Sequence, residues 1–226
     1  MQTKDEIRMK IWRLMEERNL ARFPRPVFHR IPNFVGAEKA ARRLRELPEY
    51  KAAKIIFCSP DSPQRPVRRM ALEDEKIVIM ATPKLKRGFI MLNPKEIPRS
   101  SLSKASTISG AFSYGKFINP SHVSIDLFVV GSVAVSLDGG RLGKGGGYSD
   151  REYDILMKSG SLKPQTPVAT TVHDVQVLES IPQDFWDIPV DIIATPTRII
   201  RVSKIATLKS VSYTHLRAHE TSLHLV

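Results

Sequence analysis

An α/β fold with a mostly parallel central sheet is predicted by three observations. Short apolar runs alternate with helical and loop stretches along the chain, the pattern of a wound sheet. The stretch Ile125 to Asp150, IDLFVVGSVAVSLDGGRLGKGGGYSD, passes from a buried strand through a glycine-rich loop to the start of a helix. With 42% apolar residues, the 226-residue chain can bury a sizeable core. One domain over residues 1–210 is expected.

The elements follow in order. Thr3 to Arg18 reads as a helix, because Ile7, Ile11, Leu14 and Met15 recur at i, i+4, i+7 and i+8. Thr3 and Glu6 have the spacing of a capping box. Lys4 and Arg8 share one face of this helix, where their default is a solvated pair. Ala21 to Gly36 carries Pro24, Pro26 and Pro32, which forbid a regular helix; its apolar residues predict an ordered, extended connector. His29, within it, reads as a surface histidine, since no second ligand lies at metal spacing. Gly36 to Glu46 is helical, with Ala37, Ala40, Ala41 and Leu44 on one face. Strands are expected at Ala53 to Cys58, Lys76 to Ala81, Phe89 to Leu92, Leu127 to Val130, Val168 to Val172 and Asp191 to Ala194, the last clear one. Helices are expected at Val67 to Glu75 and Arg151 to Lys158. Ile97 to Val123 is serine-rich and reads as irregular.

Bulk properties narrow the classes of function. No run approaches the ~18 apolar residues of a membrane span, and the charged N-terminus MQTKDEIRMKIW has no signal-peptide core. A cytoplasmic monomer without membrane contact is expected. The lone Cys58, after Ile56 and Phe57, reads as a buried strand-end thiol. The formal charge is +12, and residues 1–100 hold 23 Lys+Arg against 12 Asp+Glu, so this half supplies nearly all of it. Such a field favours polyanions, whether nucleotides, polyglutamate tails or RNA. The segment 211–226 has zero net charge and no strand signal, although His215 and His219 have the i, i+4 spacing of a zinc pair. It lacks HExxH chemistry and a third ligand. It is set apart as a disordered or artefactual extension.

The strongest chemical signal is the loop Arg141-Leu142-Gly143-Lys144-Gly145-Gly146-Gly147-Tyr148-Ser149-Asp150. Three consecutive glycines allow close backbone approach, and successive N–H groups can form an anion nest at a helix N-terminus. Arg141 and Lys144 can neutralise phosphate oxygens. Asp150 can cap the helix or hold a hard cation such as Mg2+. The pattern is neither a P-loop nor GxGxxG.

RLGKGGGYSD, preceded by IDLFVVGSVAV, resembles the RLGxGxGYYDR signature of the 5-formyltetrahydrofolate cyclo-ligase (methenyltetrahydrofolate synthetase) family. The N-terminal KxxxR of Lys4 and Arg8, LPEYKAAKII, and WDIPVDIIATP (Trp186 to Pro196) extend the resemblance over most of residues 3–200. FPRPVFHRIPNF and GSVAVS look like the divergent branch called methenyltetrahydrofolate synthetase domain-containing proteins. Some of its members add an RNA-recognition domain, for which no RNP-like aromatic strand motif can be read here.

The resemblance implies a three-layer α/β sandwich and the ATP- and Mg2+-dependent conversion of 5-formyltetrahydrofolate, or a related folate, to 5,10-methenyltetrahydrofolate. It implies that Lys4 and Arg8 contact ATP. Arg141, Leu142, Gly143, Lys144, Gly145, Gly146, Gly147 and Tyr148 would then cradle its phosphates. Arg141, Lys144 and Tyr148 would serve the reaction, with Tyr148 beside the formyl group. Asp150 and Asp187 match the family's magnesium aspartates, although on its own Asp187 reads as a turn residue before Pro189. Two departures stand out. Ser149 replaces the second tyrosine, and Asp61 is the only acid where the family carries a folate-side glutamate, so Asp61 is the candidate substitute. The alternative function is a non-catalytic nucleotide-binding module whose basic N-terminal half contacts RNA or a protein. Its marker would be one continuous surface formed by the arginines between Arg22 and Arg69.

Overall fold

The computed structural model describes residues 2–202. Helix α1 (Lys4–Glu17) starts at the predicted cap. The Glu6 N–H donates to Thr3 Oγ1 at 3.2 Å, and the Thr3 N–H donates to Glu6 Oε2 at 2.7 Å. Ile7, Ile11 and Met15 of the predicted stripe are buried together with Trp12, while Leu14 is half-buried. The connector that follows is non-helical and held by buried Ala21, Val27, Ile31 and Phe34, while Trp12 Nε1 donates to the Arg30 carbonyl at 3.0 Å. His29 is exposed, as expected.

The chain then runs α2 (Ala37–Arg45), α3 (Pro48–Ala52), β1 (Ile55–Cys58), α4 (Arg65–Glu73), β2 (Ile77–Ala81), β3 (Phe89–Leu92), α5 (Leu102–Ala105), α6 (Ile108–Tyr114) and β4 (Lys116–Ile118). It continues through β5 (Leu127–Val130), β6 (Ala134–Ser136), β7 (Arg141–Leu142), α7 (Tyr148–Lys158), β8 (Val168–Thr171), β9 (Val177–Leu178), β10 (Ile192–Ala194) and β11 (Ile199–Arg201).

Eight strands form the main sheet in the order β11-β10-β8-β5-β1-β2-β3-β4. The central run from β10 to β2 is parallel, and β11, β3 and β4 add antiparallel edges. Buried parallel strands read as continuous apolar runs because both faces are covered. In β1, Ile56 and Cys58 face one layer and Phe57 the other; in β5, Leu127 and Val129 oppose Phe128 and Val130. Leu44, Met70, Leu102 and Ala111 of α2, α4, α5 and α6 cover the first face. Leu156 of α7 lies on the second, where Phe57 stacks on Phe128 at 4.3 Å between ring centroids. The result is the three-layer arrangement. A small sheet, β7-β6-β9, sits beside it, and α1 with the connector packs on its Val133, Ala134 and Leu142. Cys58 is buried, and burial pushes its thiol up to about 12.

Besides α3 and the small sheet, which were not expected, other parts differ from expectation. The stretch 97–123 is not irregular but carries α5, α6 and β4. These pieces are too short to show a period and draw their stability from packing: Ala105 and Ala111 are buried, and Thr107 Oγ1 accepts the Gly110 N–H at 3.0 Å. Asp191 to Ala194 is not the last strand, because β11 folds back on β10. Helix α7 begins at Tyr148, three residues before the expected Arg151. The segment 211–226, with His215 and His219, lies outside the described residues.

Candidate active site

The winding of the sheet determines where a ligand can enter. From β1 the chain adds β2, β3 and β4 on one side, then returns to lay β5, β8 and β10 on the other. The crevice beyond the carboxyl ends of β1 and β5 is therefore the point where strand order reverses, the usual ligand position in open α/β sheets. A cavity of about 340 Å³ lies there, and Asp61, Thr82, Arg141, the glycine loop and the first turn of α7 line it. A larger, shallower hollow of about 660 Å³ along α1 is lined by Asp5, Lys10 and Arg13, with no glycine loop. The convergent polar groups are at the sheet edge.

The loop has the geometry of an anion cradle. Gly145 and Gly147 have φ of +99° and +62°, a region L side chains avoid. Gly147 is the N-cap of α7 and offers no side chain to its first-turn N–H groups, which stay open to an anion. The Tyr148 ring lies over Gly146, so close that a Cβ there would fall 2.7 Å from Cε2.

Arg141 is buried, with its side chain 2% exposed. Its Nη2 donates to Asp150 Oδ1 at 2.8 Å and its Nη1 to the Gly131 carbonyl at 3.2 Å. Lys144 Nζ donates to Asp61 Oδ1 at 3.1 Å across the cavity. Asp61 thus sits in the site although its loop is proline-rich. Gly143, Lys144, Gly146, Gly147, Tyr148 and Asp150 also line the cavity. Leu142 and Gly145 do not: the Leu142 side chain turns into the core, leaving only its backbone to the loop, and Gly145 faces the Arg8 guanidinium.

Lys4 and Arg8 are not a solvated pair. Arg8 Nε donates to the Gly143 carbonyl at 2.8 Å, which ties α1 to the glycine loop. Lys4 Nζ donates to Asp184 at 2.7 Å and to Asp187. Burial opposes the charge on Lys4, but the hydrogen bonds to Asp184 and Asp187 outweigh it and raise its pKa. Neither residue lines the cavity, and neither does Asp187. Asp187 does close a turn, its N–H donating to the Asp184 carbonyl.

For magnesium, Asp150 faces the cavity with one oxygen on Arg141, whereas Asp187 is engaged by Lys4. Among the described residues no three His, Cys, Asp or Glu side chains gather as a metal-binding group. The donor set fits an ion held by one carboxylate, waters and substrate phosphate, the habit of Mg2+.

Several arginines of the basic half are engaged within the fold, although its formal charge remains +11. Arg25 pairs with Glu16, Arg45 with Asp74, and Arg69 with Glu38 and Glu73, while Arg68 is buried. Only Arg30 of the arginines from Arg22 to Arg69 lines the cavity.

The most consequential residue of the site that was not anticipated is Glu152. It lines the cavity, is 4% exposed, and its Oε2 has no partner. Burial and then the Asp61 carboxylate push its pKa up to about 8, against the pull of Arg141 and Lys144. Its spacing was a usable signal: Glu152 lies between Tyr148 and Leu156 at successive i, i+4 steps, an acid on the inward face.

A sequence model of the 5-formyltetrahydrofolate cyclo-ligase family matches residues 1–196. Methenyltetrahydrofolate synthase domain-containing protein of Bos taurus is 44% identical over 204 residues, covering 88% of this chain and 53% of its own length. The Homo sapiens counterpart is 42% identical with the same coverage. The chain thus spans about half the length of these curated relatives. Escherichia coli 5-formyltetrahydrofolate cyclo-ligase is 37% identical over 75 residues, 33% of this chain and 38% of that protein. Among solved structures, Aquifex aeolicus 5,10-methenyltetrahydrofolate synthetase superposes with a TM-score of 0.55 at 25% identity, over 88% of this chain and 92% of that one.

Proposed function

The chain belongs to the 5-formyltetrahydrofolate cyclo-ligase family, and from that premise we propose that it converts 5-formyltetrahydrofolate, or a close folate relative, to 5,10-methenyltetrahydrofolate with ATP and Mg2+. The observation that carries this reading is the uncapped N-terminus of α7 joined to Arg141 and Lys144 at the rim of one cavity. The formyl oxygen takes the terminal phosphoryl group of ATP. N10 then attacks the activated carbon and phosphate leaves with that oxygen. Such chemistry needs clamping, alignment and charge neutralisation more than a strong base.

The roles divide accordingly. The first-turn N–H groups of α7 and the glycine loop hold phosphate oxygens. Arg141, fixed by Asp150 and the Gly131 carbonyl, is a preorganised cation that needs no rearrangement as charge develops. Lys144 can leave Asp61 for a phosphate. Tyr148 stands over the loop beside the reacting group. Lys4 and Arg8 act by holding the loop and the 184–187 turn in register. Asp150 would hold Mg2+, which when bound draws charge from the phosphate oxygens.

The alternative, a non-catalytic module with a basic RNA- or protein-binding surface, has less support, because Arg25, Arg45 and Arg69 are ion-paired and Arg68 is buried. A spectroscopic turnover assay decides between them. The protein is mixed with 5-formyltetrahydrofolate, ATP and Mg2+, and the absorbance of methenyltetrahydrofolate is followed, with Asp150→Ala as control. Turnover lost in the control is expected. No turnover in the unaltered protein, with ATP still bound, sinks the ligase reading.

A further inference from the structure

Three buried side-chain atoms among the described residues have no hydrogen-bond partner: Gln64 Oε1, Arg141 Nε and Glu152 Oε2. Unpaired buried polar atoms are rare in folded proteins, since each one costs the desolvation of a group that water would have satisfied. Two of the three belong to residues lining the one cavity, and the third is a neighbour. Gln64 Oε1 lies 3.0 Å, and Asp61 Oδ2 3.1 Å, from the point a Cβ on Gly131 would occupy, and the Gly131 carbonyl accepts from Arg141. Gly131 directly follows β5, so this acceptor-rich chamber opens at the topological switch.

The two ends of the cavity differ in chemistry. The loop end presents N–H groups and Lys144, and suits phosphate. The inner end, apart from Arg141, presents oxygen atoms from Asp61 and Glu152, with Gln64 Oε1 packed behind Gly131, and so offers acceptors. A ligand filling both ends must turn a group rich in N–H donors toward Glu152. A ring bearing an exocyclic amine next to a ring N–H meets that need, because paired donors match carboxyl and amide oxygens.

Resting on the folate reading above, we propose that Glu152 is a substrate-contacting, specificity-determining residue whose free carboxyl oxygen accepts an N–H of the aminopyrimidinone edge of the bound heterocycle. Glu152 Oε2 meets no protein donor among the described residues, so no hydrogen bond of the fold accounts for its burial. A residue kept unpaired for a ligand lowers stability in the free protein. That consequence separates this role from a structural one.

The test compares the unaltered protein with Glu152→Leu and Glu152→Gln. Calorimetry measures 5-formyltetrahydrofolate and Mg-ATP binding separately, and Tm is recorded without ligand. Glu152→Leu is expected to weaken folate binding about tenfold or more, since a site built to hydrogen-bond its ligand loses heavily when one partner is removed. Its ATP affinity should stay within about twofold and its Tm rise by about 2–4 °C as the unpaired carboxyl is replaced by an apolar group. Glu152→Gln keeps a carbonyl oxygen and should hold folate within about threefold of the unaltered protein. Folate bound equally well by Glu152→Leu overturns the assignment. So does a fall in Tm with parallel loss of ATP and folate binding, which would make Glu152 structural. An unaltered protein that binds Mg-ATP but no folate overturns the folate reading itself, and the substrate named here with it.

Discussion

Arg68 and Arg141 are both buried guanidiniums near the carboxyl edge of the sheet, and they are treated differently by their surroundings. Arg68 donates to three carbonyls: Ser106 at 2.8 Å, Asp61 at 3.1 Å, and Ser59. It stitches α4 to the loop after β1, and so positions the Asp61 backbone beneath the cavity. Arg141 has a carboxylate and one carbonyl, but its Nε is unpaired and it faces open space. Three carbonyl bonds within the fold mark Arg68 as part of the scaffold, whereas the unpaired Nε of Arg141, at the cavity, fits its proposed role toward a ligand. Burial alone would not have distinguished them.

The largest effect should come from breaking the scaffold arginine. Arg68→Ala leaves several carbonyls buried without donors and is expected to cost about 3 kcal/mol or more of unfolding free energy. Urea denaturation would read this as a lowered midpoint, and an unchanged midpoint would mean that Arg68 is no keystone. Arg141→Met addresses the other side. Turnover should fall about a hundredfold or more, as when one preorganised donor is lost from a charge-stabilising site, while the denaturation midpoint moves far less than for Arg68→Ala. If the two variants exchanged profiles, the contrast would be wrong.

Smaller changes sharpen the same division. Lys4→Met frees Asp184 and Asp187 and loosens the turn against α1. ATP affinity is expected to drop about tenfold, consistent with loss of a partly buried charged contact. Equal ATP binding by titration would confine Lys4 to the surface. The smallest effect concerns His173, whose Nδ1 accepts the Val175 N–H at 3.2 Å as a cap. Burial lowers its pKa from 6.5, against the pull of Asp174. The neutral ring is the native form, so its contribution is complete above pH 6.5 and is lost as pH falls through the lowered folded value. Thermal melts should show a fall in Tm between pH 7 and pH 5 that is shallower in His173→Asn, which caps at either pH.

Much of the fold could be read directly. The capping box at Thr3, the alanine face of α2, and the runs at Leu127 and Ile77 each carry a local signal, because capping chemistry and burial patterns repeat at fixed spacing. The stretch 97–123 did not show α5, α6 and β4, since these pieces are held by contacts with β3 and α4 rather than by their own period. At the site, Arg141, Lys144, the glycines and Asp150 were evident from composition at one loop. Glu152 was hidden because its meaning depends on having no partner, a property of neighbours distant in sequence.

The residues by themselves determined that a wound sheet would form, that a glycine loop would precede a helix, and that the loop would suit an anion. Those are local matters of backbone freedom, capping and apolar spacing. Tertiary structure alone decided that Asp61 reaches Lys144, that Lys4 is spent on Asp184 and Asp187, and that Glu152 is sealed at the cavity floor. The strand order brings the loop after β1 beside the loop after β5, and only that crossing gives each charged group its partner, or leaves it without one.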